Sequence, residues 1–366
     1  MIKQLFQSRL AFVIIALIII AIGFNLVTDG LFLSPRNFTN LMRQTSVVGL
    51  LACGMVLVIV AGEIDLSVGS AVALCGGFAA ISNCLFQLSP IAAVVAAMLG
   101  GLAIGAINGC LVAYTRIPAF IVTLGGLLIY RGLIKGVTKG ETIGPIADSI
   151  QQFGIGFLPS YVAWIVLVLF SSLSLFGIYQ AMKAKKNVIP AVLGLLTTLA
   201  FAAMLFSYKG IPAQVLLLAV VALLVHLVST KFPFGRHVYA IGGNREAAFY
   251  SGINIREHVL YIYLLLGGMI GLASIVYTAQ LGSATPGAAR NLELDAIAAC
   301  VIGGCSLMGG RGTIAGALCG ALMMASLDNG MSLLNVQDFL QDIIKGLILV
   351  GAVALDMAPM AAKARR

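Results

Sequence analysis

Glu63 and Asp65 stand one residue apart in GEIDLSVGS, in a chain with only 13 acidic residues among 366. Carboxylates paired beside apolar segments can pass protons or hold a cation. They can equally build a turn, with Asp65 or Ser67 capping the next helix and Gly69 inside the same motif. The capping reading is preferred, with the chemistry kept open. A second acidic site, Asp328-Asn329, lies late in an apolar run. A charge at mid-bilayer costs about 2.5–3.5 kcal/mol on insertion scales, so Asp328 should face a cavity, a partner or the interface. A pore-facing role and a helix-end role both fit.

Other chemistries are poorly served. The seven cysteines are odd in number, sit in or near apolar runs and form no C-x-x-C. They read as small hydrophobes, not disulfides or ligands. His226, His237 and His258 are scattered, so no metal or cofactor is expected. The glycines of IGGCSLMGGRG suggest a phosphate loop, but the chain has no Gly-Lys dipeptide. A Walker-type loop is therefore impossible, and any ATP must bind another chain. Asn37-Phe38-Thr39 matches a glycosylation sequon, a pattern short enough to arise by chance.

A polar, basic island runs from Lys231 to His258 between two long apolar runs. Within it Asn244 suits an N-cap, Glu246 a first helical turn and Gly252 a C′ stop. That predicts a helix of about two turns over Asn244–Ser251. So short a helix is marginal alone and needs something to pack against. An ordinary capped loop helix is the plain alternative.

The elements around these residues belong to a membrane protein. Hydrophobic residues make up 60% and charged residues 10%, with a mean hydropathy of +1.06. Water could not be kept off so much apolar surface in a soluble chain of this length. Apolar runs occupy Leu10–Thr28, Thr45–Gly62, Leu66–Leu88, Ile91–Tyr114, Ile117–Ile134, Tyr161–Met182, Val188–Ser207, Ile211–Ser229 and Val259–Leu281. Further on come Ala296–Met308, Thr313–Leu334 and Phe339–Leu355. The Ala296–Met308 run is short for a crossing and reads as a broken or re-entrant helix. The expectation is an all-α, polytopic helical integral membrane protein of about ten to twelve spans, one domain over residues 1–366. With the N-terminus inside, 14 of the 22 Lys and Arg fall on the inner side and seven on the outer, with Lys345 inside a span. The bias puts both termini and the 231–258 island in the cytoplasm. It also accounts for the net charge of +9 without a nucleic acid. Gly101, Gly105 and Gly109, and again Gly312, Gly316 and Gly320, recur at every fourth residue and predict close helix contacts. Packing within one subunit is preferred to a subunit interface.

With these residues in view, the chain resembles bacterial ABC-importer permeases of the ribose/xylose branch. Glu246-Ala247-Ala248 with Gly252 in a basic loop looks like their coupling loop. NFTNLMRQ (37–44), EIDLSVGS (63–70), YAIGGNREAAFYSGIN (239–254) and ELDAIAACVIGGCSLMGG (293–310) carry the match over most of the chain. The basic turn at 183–186, with its extra hydrophobic pair, and ASLDNGMS (325–332) lean toward xylose over ribose within the branch. The resemblance implies a homodimeric pore and cytoplasmic ATP-binding subunits docked on Gly243, Asn244, Arg245, Glu246, Ala247, Ala248, Ser251 and Gly252. A periplasmic binding protein would deliver a monosaccharide at the bacterial inner membrane. A neutral sugar needs donors and acceptors without fixed charge, which makes Asn108, Thr123, Tyr130 and Asn329 candidates along its pathway, and a pore-facing Asp328 would join them. Two alternatives stand. One is a proton-coupled secondary carrier using Glu63, Asp65 or Asp328; the other is an integral-membrane enzyme, which no ligand cluster supports.

Overall fold

The computed structural model describes residues 9–115, 117–184 and 188–364. Lys3, Arg116, Lys185, Lys186, Arg365 and Arg366, which contribute to the charge bias, lie outside the described residues. Fifteen α-helices, one prolonged by a π turn, make up the described chain. They are α1 (Arg9–Val27), α2 (Pro35–Val60), α3 (Val68–Ala80, continued by a π turn over Ile81–Leu85), α4 (Pro90–Tyr114) and α5 (Ala119–Val137). Next come α6 (Asp148–Ile155), α7 (Ser160–Lys183), α8 (Ile189–Phe206), α9 (Ala213–Thr230), α10 (Pro233–Gly243) and α11 (Arg245–Tyr250). The last four are α12 (Ile255–Leu281), α13 (Leu292–Ile302), α14 (Ile314–Leu333) and α15 (Asp338–Ala364). Eight of the described helices are long and apolar enough to span a bilayer, and Val13–Val27 and Gly194–Phe206 are shorter apolar segments. The protein is an all-α polytopic membrane protein, as the composition requires.

Helix α2 is the axis. Its apolar window is 89% buried, whereas that of α7 is 6% buried. Helices α9, α12, α13 and α14 surround α2, so its Leu50–Val60 stretch has no lipid-facing side and is apolar all round. The helix starts at Pro35, ten residues before the apolar run at Thr45, because Ser34 caps it and Pro35 fills the first turn. Likewise α12 starts at Ile255 because Asn254 Oδ1 accepts from the Glu257 amide at 3.4 Å.

The glycine runs are helix contacts inside this subunit. A Cβ on Gly101 would lie 2.3 Å from the Gly267 carbonyl oxygen, and one on Gly105 2.4 Å from that of Tyr263. Gly267 and Gly271 of α12 reciprocate against α4, so the two backbones touch. A Cβ on Gly316 or Gly320 would strike the carbonyls of Gly303 and Ala299, which seats α14 on α13. Gly312 departs from the expected stripe: it precedes α14, in a loop against Cys305 and Val60.

The short late segment is helical only over the 11 residues of α13, with irregular backbone on either side. Ala284 pairs with Ile143, and residues 285–291 lead irregularly down to α13. Arg131 Nη1 donates to the carbonyls of Pro286 (2.9 Å) and Ala288 (2.7 Å). Backbone without helical hydrogen bonds is tolerated at membrane depth only where protein supplies them, as Arg131 does.

Candidate functional site

The 231–258 island folds into two helices, not one. Between Pro233 and Gly243, α10 buries Gly235, Val238 and Ile241. Gly242 passes so close to Val60 that a Cβ would lie 1.7 Å from its carbonyl oxygen. Tyr239 donates to the Gly312 carbonyl at 2.7 Å, and burial raises its phenol pKa. The Gly310 amide donates to the Val60 carbonyl at 2.8 Å. So α10 is bolted to the end of α2 and to the loop before α14.

Helix α11 follows at once and carries the expected caps. Asn244 Oδ1 accepts from the Ala247 amide at 2.9 Å. Glu246 sits in the first turn, where a carboxylate suits the helix dipole. At the other end Gly252 has φ +83°. Its amide donates to the Phe249 carbonyl and that of Ile253 to the Ala248 carbonyl, at 3.0 and 3.1 Å. This paired return is a Schellman stop, open to glycine because φ is positive. Ser251 is the C-cap, and Ala248 is the buried residue of the turn. Phe249 and Tyr250 are 65% and 85% exposed.

A contact that sequence did not announce ties α11 to the carboxylate turn. Arg245 Nη1 lies 2.7 Å from Glu63 Oε1. The partners are 182 positions apart, so no local pattern could pair them. Beside them a cavity of about 800 Å³ is lined by Glu63, Arg245, Phe249 and the 252–256 stretch, with the α4–α5 connection as its far wall.

Two residues on, Asp65 is buried and does the capping. Its Oδ1 accepts from the Ser67 amide (2.7 Å) and from Ser67 Oγ (2.6 Å). Ser67 sits at the N-cap position but makes no side-chain cap bond. Burial raises the Asp65 carboxyl above the usual carboxylate range, against the opposing bonds from Ser67 and Asn108. Asn108 Nδ2 donates to Ser67 Oγ at 3.0 Å, and Tyr130 donates to Asn108 Oδ1 at 2.7 Å. Thr123 donates to the Ala119 carbonyl at 2.9 Å and reaches that of Ile64 at 3.2 Å. Asn108, Thr123 and Tyr130, expected along a solute pathway, are all buried and hold protein partners. They join the carboxylate turn to α4 and α5. Gly69 lets α13 approach: a Cβ there would lie 2.0 Å from Glu293 Oε2.

The remaining expected pathway residues part company. Asp328 lies 2.7 Å from Lys345 Nζ, and Asp295 lies 3.2 Å from the same nitrogen. The in-span lysine is thus shared by two carboxylates from α13 and α14. Asn329 faces the other way, accepting from Asn37 Nδ2 at 2.7 Å. Asn37 is buried in α2, so the sequon match is no acceptor site. His237 and His258, far apart in sequence, meet with Nδ1 and Nε2 3.0 Å apart. Among the described residues no cluster could hold a metal ion.

No solved structure matches the chain. It is 45% identical over 355 residues to the xylose transport system permease protein XylH of Haemophilus influenzae, covering 94% of each chain. To XylH of Escherichia coli K12 it is 44% identical over 359 residues, 95% of this chain and 91% of the relative. The ribose import permease protein RbsC of Escherichia coli K12 is 36% identical over 326 residues, 89% of this chain and 87% of that one. Residues 37–353, which include the carboxylate turn, the capped helix and the Lys345 cluster, match one family model, and the chain belongs to that family, the permease component of branched-chain amino acid transport systems.

Proposed function

We propose that the chain is the membrane permease subunit of an ATP-driven importer for a monosaccharide, with D-xylose the first candidate and ribose or another monosaccharide the alternative. The observation that carries this reading is α11. A helix of six residues is too short to hold itself, yet it is capped at both ends and presents two bare aromatics beside a large cavity. Such a surface calls for a protein partner, and a cytoplasmic ATP-binding subunit fits it. In this reading two copies of the chain form the pathway in the bacterial inner membrane, with both termini in the cytoplasm. A periplasmic binding protein delivers sugar at the opposite face. The whole chain is one permease domain, and 231–258 is its coupling loop.

The mechanism follows from the contacts. Closure of the ATP-binding pair pushes on α11. Arg245 and Glu63 pass the push to the turn that ends at Asp65. From there the buried bonds of Ser67, Asn108 and Tyr130 reach α4 and α5, so the turn and two helices move together. Binding energy on the ATP-binding side shifts the balance of outward and inward states only through such differential contacts. Proteoliposomes holding the permease, ATP-binding subunit and binding protein should take up D-xylose when ATP is inside. Uptake that needs no ATP, or a preference for leucine over sugars, would overturn the reading.

One observation favours a second reading, a carrier driven by protons: the Lys345 ammonium shared by Asp295 and Asp328. That reading requires wild-type uptake to vanish when the proton gradient is collapsed with ATP still present.

A further inference from the structure

Toward the N-terminal end of α2, away from the Val60 end that meets α10, lies a cavity of about 390 Å³ lined largely by amide and hydroxyl side chains. We propose that it is a binding site for a neutral polyhydroxylated ligand, the monosaccharide of the reading above, on which this inference rests. Its walls come from helices far apart in sequence: Asn37, Asn40, Arg43 and Gln44 of α2, Gln280 of α12, and Asn329 and Ser332 of α14. Asn37, Asn40 and Gln44 fall at helical spacing, as do Asn329 and Ser332, so each helix turns one polar stripe to the same space.

The hydrogen bonds within the walls are half-used. Asn37 Nδ2 donates to the Phe32 carbonyl and to Asn329 Oδ1, at 2.8 and 2.7 Å. That fixes both amides and leaves Asn37 Oδ1 an open acceptor and Asn329 Nδ2 an open donor. Gln280 Nε2 donates to the Arg43 carbonyl at 3.1 Å, which leaves its Oε1 open. Asn40 and Gln44 are exposed and make no hydrogen bond among the described residues. Open donors and acceptors held side by side match hydroxyl groups, each of which both gives and accepts.

Charge narrows the ligand. No Asp, Glu or Lys lines the cavity, so the ammonium of an amino acid would have no counter-charge. The one cation, Arg43, is committed: its guanidinium donates to the Ile155 carbonyl and lies 4.8 Å from the centre of the Phe157 ring. Its Nε is buried, out of a ligand's reach. A cavity of this size falls within the range of small-molecule sites, roughly 300–1,000 Å³. No aromatic ring lines it, so the hold is weak, which suits a site that must release its ligand onward.

The test is saturation-transfer NMR with D-xylose, on the permease assembled with its ATP-binding subunit in nanodiscs. Wild type should give sugar signals, and Asn40→Leu with Gln44→Leu should weaken binding about tenfold or more. Both side chains are exposed and unbonded, so the pair should keep the wild-type melting temperature, and Asn40→Ser should restore part of the signal. Equal signals in wild type and the double variant would overturn the cavity while leaving ATP-driven sugar uptake standing. So would intact sugar binding combined with lost docking of the binding protein, which would make the cavity a protein contact. Signals from L-leucine and none from D-xylose would overturn the cavity, and uptake with all partners present then decides separately whether the sugar-importer reading survives.

Discussion

The two ends of this protein are built on opposite plans. At one end α11 is local: its N-cap, its acid and its stop glycine all lie between Asn244 and Gly252, and each does what its neighbours in sequence require. At the other the amide-lined cavity is assembled from α2, α6, α12 and α14, and no single stretch contains it. In the proposed importer a lever must be rigid and separately presented, and a short capped segment supplies that. A site that opens and closes gains from walls on different helices, since relative movement of the helices changes its shape. Between the ends runs the glycine crossing of α4 and α12, where backbones touch.

The largest effect should come from that crossing. Gly105→Leu would drive a side chain into the Tyr263 carbonyl and the Gly267 backbone, costing about 3 kcal/mol or more. Loss of folded protein in detergent, with both ends damaged together, is expected; a wild-type melting temperature would show that the backbones are not in contact there. Gly252→Pro should separate the ends. Proline cannot adopt φ +83° and lacks the amide that bonds Phe249, so α11 loses its stop. Sugar binding at the cavity should persist while uptake falls by about tenfold or more and ATP hydrolysis is no longer stimulated by sugar. Uptake unchanged in this variant would sink the lever.

Asp65 gives a finer cut. Asp65→Leu leaves Ser67 and Asn108 without their buried acceptor and should cost about 1–3 kcal/mol; Asp65→Asn keeps the cap and most of the function. The pH dependence carries a sign. Burial raises the folded pKa above the unfolded one, so the folded state binds the extra proton between them. Stability from this group is present below the unfolded pKa and is lost as pH climbs through the raised value. Melting curves should show that slope in wild type and not in Asp65→Asn. A smaller effect is expected from Arg245→Gln or Glu63→Gln. The pair is half exposed on the Arg245 side, so its loss should leave stability within about 1 kcal/mol of wild type. Uptake should fall in each, and the double variant should be no worse than either single one; additive losses would mean that the two residues act apart. Least of all should follow from Leu169→Ala or Leu173→Ala on α7, whose side chains touch little protein.

Legibility followed the same division. The capped helix α11, the apolar helices and the glycine contacts could be read because each rests on a period or a cap within a few residues. Helix α10 was missed because its apolar residues are few and its stability comes from Val60 and Gly312 of distant segments. The partners of Arg245 and Lys345 could not be read, since charge pairing across 182 and 50 positions leaves no trace in spacing. Asn108, Thr123 and Tyr130 read as hydrogen-bonding residues, but their protein partners could not be read, since Ser67, Asn108 and the Ile64 carbonyl lie on other segments. The cavity did leave a trace, the Asn37, Asn40, Gln44 spacing, hidden because those residues precede the apolar run that marks the span.

Helices α7 and α8 pack mainly on each other, with Trp164, Leu169, Leu173 and Phe176 bare along α7. Their fold energy therefore depends on the solvent around them. Lipid tails complete the shell that the chain leaves open, so the bilayer is a component of the protein and not its container. Thickness then becomes a variable of stability: a thinner or thicker hydrocarbon layer would tilt this hairpin at a modest cost, while the Leu50–Val60 stretch of α2, enclosed on every side, would register nothing. Purified in different surfactants, one sequence should give a family of melting temperatures, and the spread among them measures how much of the structure is borrowed.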